Sequence, residues 1–253
     1  MKRLDKDTKK KIMEFSKRGF SLNQTAKKLE LSRSTTFYWF RRFSKHKMPK
    51  VVIDRRPGEK IGEIVGAFCG DGTYYIDKNY KHSIAISLAK NEKWYANYLN
   101  NCFYNVFHKK GWIWLDTKKN LILLRIFGVD IIKFIHEFAV WKDVKTYSIK
   151  LKKSISNYDK KFLIGFLRGL YMTDGWLNKG KSTANFGCTS QELVDNFSKC
   201  LSKFEIAHHR YSFEKEGRKE LFYLTIPKEE CYKFFNLIKI KKMLPRGISG
   251  KTF

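Results

Sequence analysis

The chain has 253 residues, of which 43% are hydrophobic and 16% aromatic, which is enough apolar surface for one large or two smaller folded domains. Its 52 Lys and Arg outnumber its 24 Asp and Glu, and the net charge of +28 predicts a polyanionic partner, most simply nucleic acid. Two alternatives are a protein that is basic because its whole proteome is rich in lysine, and a protein that binds a membrane surface.

Secretion and membrane insertion are not indicated. The first ten residues, MKRLDKDTKK, are charged and contain no apolar signal segment, and the apolar stretch 120–135 is interrupted by Arg125, Asp130 and Lys133. The five cysteines form no CxxC pair and no zinc spacing. We expect buried thiols in a reducing, cytoplasmic protein, although an organelle is not excluded.

Residues 5–44 predict three short helices, with Ser21 and Ser32 as N-caps of the second and third. The short turn between these two helices is typical of a helix-turn-helix and resembles the tri-helical DNA-binding domains of recombinases and transposase-like proteins. Residues 1–60 contain 19 basic and 6 acidic side chains, a net charge of +13. A helical bundle that binds protein is the alternative.

In a helix-turn-helix the last helix enters the major groove with its N-terminal residues against base edges. We therefore expect four residues to face the groove and two to lie nearer phosphates: Arg33, Ser34, Thr35 and Tyr38, then Arg41 and Arg42. The predicted boundaries are a helix-turn-helix domain over 1–46, a linker over 47–60, and two repeats over 61–157 and 158–253.

The two repeats share one order of predicted elements, α-β-β-α-β-β-α. Each begins with an apolar helix in which small residues recur every four positions, and each helix leads into Asp-Gly. The sequence therefore predicts an α+β protein with internal pseudo-twofold symmetry. Because one chain supplies both halves, we expect a monomer.

The small residues stand in the same register relative to each acid. Gly66 precedes Asp71 by five residues, as Gly169 precedes Asp174, and Gly62 and Gly165 are each nine residues before their acid. Glycine destabilises a helix interior, so four glycines on matching faces predict that the two helices pack with their backbones in close contact. Gly72 and Gly175 are expected to end the helices in the left-handed conformation.

Such packing would bring two carboxylates together at helix C-termini, where negative charge is unfavourable. The arrangement is explained if a divalent cation, most simply Mg²⁺, binds between them, since carboxylate and carbonyl oxygens suit that ion. The acids Asp71 and Asp174 are the predicted ligands. Two ordinary Asp-Gly turns are the alternative.

The segments IVGAFCGDG (64–72) and LRGLYMTDG (167–175) resemble the paired motifs of single-chain LAGLIDADG homing endonucleases, over about 190 residues. Cys69 and Met172 depart from that pattern by replacing its first acid. The resemblance implies two four-stranded sheets that form a saddle in the DNA major groove. It also implies catalytic, metal-binding Asp71 and Asp174, with the carbonyls of Gly70 and Thr173 facing the metals.

The resemblance further implies a lysine after the last helix of each repeat, in an apolar–apolar–Lys pattern. FAVWK and LIKIK match it and assign Lys142 and Lys241, which are 99 residues apart. Lys90 and Ser190, at the end of the second strand of each repeat, match a position that helps to order the attacking water.

Strand alternation predicts which side chains meet the groove. In SIAISLA, Ile84, Ile86 and Leu88 would pack on helices, and in HHRYSFE, so would His209, Tyr211 and Phe213. The residues expected to contact DNA from the sheets are Thr73, Tyr75, Ser83, Ser87, Arg125, Asn178, Asn185, Arg210 and Ser212.

These observations predict a site-specific homing endonuclease that makes metal-dependent breaks in double-stranded DNA. We expect a free-standing chain encoded in an intron or another mobile element. Two alternatives stay open. One is a transcription regulator with this fold that binds DNA without cleaving it, and the other is a maturase that binds intron RNA through the same basic surfaces.

Overall fold

A computed structural model of the protein describes residues 4–18, 20–43, 51–77, 82–117, 119–178, 183–214, 216–217 and 219–240, with the backbone alone for 41–43. The chain divides into two compact units, residues 1–50 and 51–253. No helix in these ranges is both long enough and apolar enough to cross a membrane.

The first unit contains the helices α1 (Lys6–Lys17), α2 (Leu22–Lys28) and α3 (Arg33–Phe43). Both predicted N-caps are confirmed. The hydroxyl oxygen of Ser21 accepts from Gln24 N while Gln24 Oε1 accepts from Ser21 N, and Ser32 Oγ accepts from Thr35 N. These bonds satisfy amide groups that a helix N-terminus leaves without partners, and they fix where α2 and α3 begin.

The second unit contains two repeats of the predicted order. In the first repeat, α4 (Gly58–Cys69), β1 (Gly72–Ile76), β2 (His82–Ala89), α5 (Lys93–Phe107), β3 (Trp112–Asp116), β4 (Leu121–Phe127) and α6 (Val129–Phe138) follow one another. A connection of β5 (Ala139–Val140), α7 (Lys145–Ser148) and β6 (Lys150–Leu151) leads to the second repeat. There α8 (Lys160–Asp174), β7 (Gly175–Asn178), β8 (Thr183–Cys188), α9 (Gln191–Lys203), β9 (His209–Phe213), β10 (Leu221–Ile226) and α10 (Lys228–Leu237) repeat the order.

Each repeat builds one four-stranded antiparallel sheet, ordered β1-β2-β4-β3 in the first and β7-β8-β10-β9 in the second. The short strands β5 and β6 pair separately. Because the two sheets have the same order, the predicted α+β class and duplicated fold are confirmed. The alternating apolar residues of the strands pack on the helices and form one continuous core, which includes Ile86, Leu124, Phe186 and Leu224.

The segment before α4 belongs to the second unit, although the sequence predicts a linker over 47–60. Asp54 N donates to Val106 O at 2.7 Å, and Arg55 forms an ion pair with Glu137 at 2.6 Å. The helix α4 itself begins at Gly58 rather than near residue 61. Residues 51–57 are therefore an extended strap over α5 and α6.

The helices α4 and α8 pack with their backbones in contact. A Cβ atom added to Gly62 or Gly66 would lie within 3.0 Å of the carbonyl oxygen of Phe162 or Phe166 in the facing helix. In the reverse direction, a Cβ atom on Gly165 or Gly169 would collide in the same way with the carbonyl oxygens of Glu59 and Glu63. Any larger side chain at these four positions would force the helices apart.

Gly72 and Gly175 do not have the predicted left-handed conformation. Among the described glycines a positive φ occurs at Gly128 and Gly217, whereas Gly175 has φ −89° and ψ 151°. The space is the constraint instead, because a Cβ atom at Gly72 or Gly175 would collide with the carbonyl oxygen of Phe68 or Tyr171. The first residue of each strand therefore packs directly against the last turn of the preceding helix.

A buried ionic network crosses the same helix pair at the end away from the acids. Arg168 of α8 donates from Nη1 to Glu63 at 2.7 Å and to Tyr98 Oη at 2.8 Å, and it also pairs with Glu59. Its Nε donates to Ile238 O at 2.6 Å. Burial raises the pKa of Glu63 to about 7, although Arg168 and Tyr98 act in the opposite direction.

Replacing Gly66 by Ala should lower the free energy of unfolding by about 1–3 kcal/mol, because the added methyl overpacks the contact with Phe166. In an ordinary helix the same change would stabilise by about 1 kcal/mol. Urea denaturation measures the difference. Gly58→Ala is the matched control, since its Cβ atom would meet only the Asp159 side chain, 3.3 Å away. Unfolding at wild-type or higher urea concentration for Gly66→Ala would contradict the close packing.

The stability of Glu63→Gln should change with pH differently from that of the wild type. The raised pKa means that the native state binds a proton more tightly than the unfolded chain, so wild-type stability decreases as pH rises from about 4.5 to about 7. The variant lacks this loss. Its free energy of unfolding relative to wild type should therefore increase between about pH 5 and about pH 8.

The matched control for this change is Glu137→Gln. Arg55 lowers the pKa of Glu137, so this carboxylate stabilises the protein above its ordinary pKa and loses that contribution as pH falls. Its relative stability should not increase over the same range. If Glu63→Gln and Glu137→Gln give the same pH profile, the assignment of the raised pKa to Glu63 is wrong.

Candidate active site

The two motif acids lie at neighbouring helix ends. Gly70 is the C-cap of α4 and Asp71 follows it, while Asp174 is the last residue of α8. A Cβ atom on Gly70 would collide with Thr173 Oγ1 and Asp174 Oδ2. The contact of the glycine-lined helices therefore continues to their C-termini and brings the acid of one repeat beside the end of the other.

A cavity of about 510 Å³ opens at this point. Both acids line it, together with residues of β1, β2, β8 and the connection between the repeats. The lining side chains and backbone groups that bear on its chemistry are Cys69, Gly70, Asp71, Thr73, Ser87, Trp141, Asp143, Lys145, Asp174 and Cys188.

Lys145 of α7 places its ammonium group at the end of α4. Its Nζ donates to Phe68 O, Cys69 O and Gly70 O at 2.7, 2.8 and 2.7 Å. These carbonyls belong to the last turn of the helix, which has no further amide partners of its own and carries partial negative charge. Burial lowers the pKa of Lys145, and the nearby acids and thiols oppose that shift.

Both acids have raised pKa values. Burial and, to a smaller extent, the charge of Asp71 together raise the pKa of Asp174 to about 7. Asp71 keeps part of its side chain open to solvent, yet the surrounding protein still raises its pKa to about 6, with Lys145 acting against the shift. One ammonium group thus faces two carboxylates that repel each other, and negative charge is left over.

The donor set fits a hard divalent cation. Two carboxylates with uncompensated charge lie together, and the Thr173 carbonyl is among the last of α8, where no helical amide follows to bind it. Cys69 and Cys188 are not suitable ligands, because burial raises the pKa of each thiol to about 12. Across the described ranges no three His, Cys, Asp or Glu side chains group as metal ligands. Groups other than these side chains would therefore have to complete the coordination of a bound ion.

Three other predicted catalytic residues, Lys142, Lys90 and Ser190, do not line this cavity. Lys142 is exposed, and its backbone N and O bond to Ser148 Oγ; Lys90 is exposed at the end of β2. Ser190 is fully buried, and its Oγ donates to Ile149 O at 2.7 Å while accepting from Leu193 N as the N-cap of α9. Lys241 lies outside the described residues.

The open face of each sheet is the one turned away from the helices. In the first sheet this face contains Thr73, Tyr75, Ser83, Ser87 and Arg125, as predicted. Ser83 is nonetheless buried, because Arg125 Nε donates to its hydroxyl at 3.0 Å and the guanidinium lies over Tyr75. In the second sheet Asn178 and Asn185 lie on the open face, and Asn185 accepts from Thr225 Oγ1 at 2.8 Å.

The predicted orientation of β9 is wrong. Arg210 and Ser212 pair with Leu224 and Phe222, which face the core, and Arg210 forms an ion pair with Asp195 of α9. The open face instead carries His209, Tyr211 and Phe213. The alternation of polar and apolar residues suggested the opposite because the aromatic residues of this edge strand are exposed, while a long charged side chain reaches over the helix side.

The predicted contact residues of the first unit stand mostly at the surface. Arg33, Ser34 and Tyr38 are exposed on α3, Thr35 is half-buried, and Ser34 Oγ bonds with Ser32 Oγ. The side chains of Arg41 and Arg42 are outside the description. Phe37, which sequence reasoning did not select, is 46% exposed on the same helix.

These two repeats and the acid pair between their first helices define a duplicated LAGLIDADG-like fold. Residues 161–239 match the sequence profile of a family described as LAGLIDADG-like domain. The chain is also 28% identical over 132 residues, half of its length, to the DNA-directed RNA polymerase subunit Rpo1C of Methanocaldococcus jannaschii. That match spans 14% of the polymerase subunit, about one seventh of its length.

Two solved structures share this fold. A variant of the homing endonuclease I-DmoI, in complex with its target DNA in the presence of magnesium, is 15% identical with a TM-score of 0.56, covering 74% of this chain and 99% of that one. Full-length DUF199/WhiA from Thermatoga maritima is 18% identical with a TM-score of 0.52, covering 76% and 58%. At these identities the similarity establishes the fold.

Replacing Lys145 by Met should lower the free energy of unfolding by about 1–3 kcal/mol, because three carbonyls at the end of α4 lose a charged donor inside the protein. Thermal or urea denaturation measures the loss. Lys142→Met removes the same charge from an exposed position three residues away and should leave stability unchanged. Equal effects of the two changes would contradict the prediction, because they would show that the three hydrogen bonds of Lys145 add nothing to stability beyond the loss of one positive charge.

Proposed function

We propose that this chain is a metal-dependent endonuclease that cuts both strands of double-stranded DNA at a long, specific site. The observation that carries the proposal is the pair Asp71 and Asp174, contributed by two equivalent helices and placed between two equivalent sheets. Two similar half-sites on a duplex present two scissile phosphates, and a pseudo-twofold protein with one acid per half matches that geometry. The net charge of +28 supports a nucleic-acid partner.

The residues of the cavity take distinct roles in this proposal. Asp71 and Asp174 would hold Mg²⁺, and the carbonyls of Gly70 and Thr173 are the additional oxygen donors. The bound ion supplies a Lewis acid and a water of lowered pKa. Lys145 supplies a fixed positive charge, which favours the approach of a phosphate and stabilises the charge that develops when it is attacked.

The charge balance of the cavity also supports the binding of a metal ion. The negative charge shared by the acids exceeds the single charge of Lys145, so the cavity favours a cation over an empty state. Complexes of I-DmoI with DNA and magnesium, manganese or calcium have this fold, which supports a divalent ion here.

The first unit would extend the contact with DNA. Arg33, Ser34 and Tyr38 are exposed together at the N-terminal part of α3, where a recognition helix meets base edges. The net charge of +13 over residues 1–60 would act on phosphates. The first unit is expected to increase the affinity for DNA and the length of the recognised DNA site. It is not expected to take part in the chemistry, since both acids belong to the second unit.

A second function is favoured by one observation. Gly70 O, one of the proposed metal donors, already accepts a hydrogen bond from Lys145. An ammonium group that replaces a cation at this carbonyl would suit a protein that binds DNA without cutting it, and DUF199/WhiA has the same fold. Cleavage therefore has to be measured separately from binding.

Asp71→Asn and Asp174→Asn should each abolish double-strand cleavage while leaving DNA affinity within about threefold, because the groove contacts and most of the charge remain. A duplex library containing random and genomic sequences, incubated with magnesium, first identifies the cleaved site. Gel analysis of that site measures cutting, and fluorescence anisotropy measures binding.

Asp130→Asn is the matched control, since this acid lies in the first turn of α6 outside the cavity and should leave cutting unchanged. Three results would contradict the proposal in different ways. Cutting by both motif variants at the wild-type rate would remove the acids from the chemistry. Specific binding by the wild type without cutting would support the regulator, and preference for structured RNA over duplex DNA would support the maturase.

A further inference from the structure

The open face of the first sheet carries large apolar side chains. Strand register places Trp112 beside Arg125 and Trp114 beside Leu123, and these rows continue across the sheet to Ala85 and Ser87. The two tryptophans are 76% and 62% exposed. Ser87 N donates to Asp71 O at 3.2 Å, so the row of Trp114 ends at a motif acid.

The open face of the second sheet has the same character. Tyr211 lies beside Tyr223, Trp176 beside Asn185, and Phe213 beside Leu221. Trp176, Tyr211 and Phe213 are all exposed. Gly187 lies beside Tyr223 on the same face, and a Cβ atom on this glycine would collide with the Tyr223 side chain.

Charge is nearly missing from both faces. Among the strand residues that the structure describes on these faces, Arg125 is the single Arg or Lys, whereas the whole chain contains 52. Arg and Lys are the usual readers of guanine in the major groove, while apolar side chains contact the 5-methyl group of thymine. Asn178 is of the residue type that pairs with adenine. Asn185 is 6% exposed, and its amide bonds to Thr183 O and Thr225 Oγ1 within the protein.

Some of the aromatic rings on these faces are packed against neighbouring side chains. Tyr211 is stacked on Tyr223 with ring centroids 5.2 Å apart and planes 24° apart, and the guanidinium of Arg125 lies 5.1 Å from the centre of the Tyr75 ring. These contacts cover one face of each of these tyrosine rings and leave less ring surface for stacking on an unpaired base, whereas contact with a methyl group of a paired duplex needs no free ring face. The single-strand libraries of the test below separate the two modes of binding.

We propose that the two sheets recognise A·T pairs, chiefly through thymine methyl groups, and that Arg125 provides a guanine contact in the first half-site alone. Thr225 stands at the equivalent place in the second sheet, beside Asn185 as Arg125 stands beside Ala85. The phosphates are bound by basic residues elsewhere in the chain. This inference rests on the proposed binding of duplex DNA, but it does not require cleavage.

The test is a selection of bound duplexes from a random library made with thymidine, using the full wild-type chain. The bound pool should be enriched in A·T pairs in both half-sites. The recovered duplexes are then remade with deoxyuridine, which removes only the methyl groups, and their affinity should fall by at least about tenfold because several apolar contacts are lost. A library of single strands, DNA and RNA, is tested alongside.

Substitution locates the effect on the protein. Trp114→Ala should reduce the loss caused by deoxyuridine, since part of the methyl contact is already gone. Trp94→Ala is the matched control, because Trp94 is 45% exposed but lies on α5, and it should keep the full loss.

The wild-type measurements decide the inference whatever the variants do. Equal affinity for the thymidine and deoxyuridine duplexes, or a bound pool without A·T enrichment, would overturn it and leave the proposed endonuclease intact if the pool is still cut. Preference for single strands over duplexes would overturn both the inference and the proposed function.

Discussion

The backbone contact between α4 and α8 is the constraint on which the rest of this protein depends. At four glycines no side chain separates the helices, and each helix lies there against carbonyl oxygens of the other. Their axes are thereby fixed close together over their whole length. Because each helix leads directly into the first strand of its sheet, the distance and orientation of the two sheets follow from the same contact.

That contact also creates an electrostatic conflict at each end of the helix pair. At one end Glu59 and Glu63 are brought into the interior, and Arg168 crosses from the other helix to neutralise them. At the other end two aspartates meet, and Lys145 brings an ammonium group to the site from the connection between the repeats. Arg168 compensates the first pair of acids only in part, since burial still raises the pKa of Glu63, and at the second end one ammonium group faces two aspartates. A site with unresolved charge is where a cation and a phosphate can be bound.

The proposed binding and the proposed recognition would use separate parts of the molecule. The net charge of +28 would attract any nucleic acid, and such attraction weakens with salt. The open faces of the sheets carry Arg125 as the single Arg or Lys among their described strand residues and are rich in aromatic side chains, so base recognition on them would depend chiefly on shape and apolar contact. This combination would suit a protein that must find one long site among many.

Much of the architecture could be read from the sequence by itself. The spacing of Gly62, Gly66, Gly165 and Gly169 relative to two Asp-Gly pairs predicts the close helix pair, the duplication and the meeting of the acids, because helical period alone decides which residues share a face. The N-caps at Ser21 and Ser32 were equally local, since a cap depends on the next three residues.

Three features were decided only by the tertiary structure. Lys145 has no sequence pattern of its own, and it reaches α4 because a short connection places it there, 75 residues from its partner Gly70. The faces of β9 were predicted in reverse, since Asp195 draws Arg210 to the helix side and an edge strand tolerates exposed rings. Gly72 and Gly175 are required by lack of space and not by a left-handed turn. In the first two cases the deciding interaction joins residues that are distant along the chain, and in the third it is a lack of space around the glycine. A local sequence pattern predicts neither of these conditions.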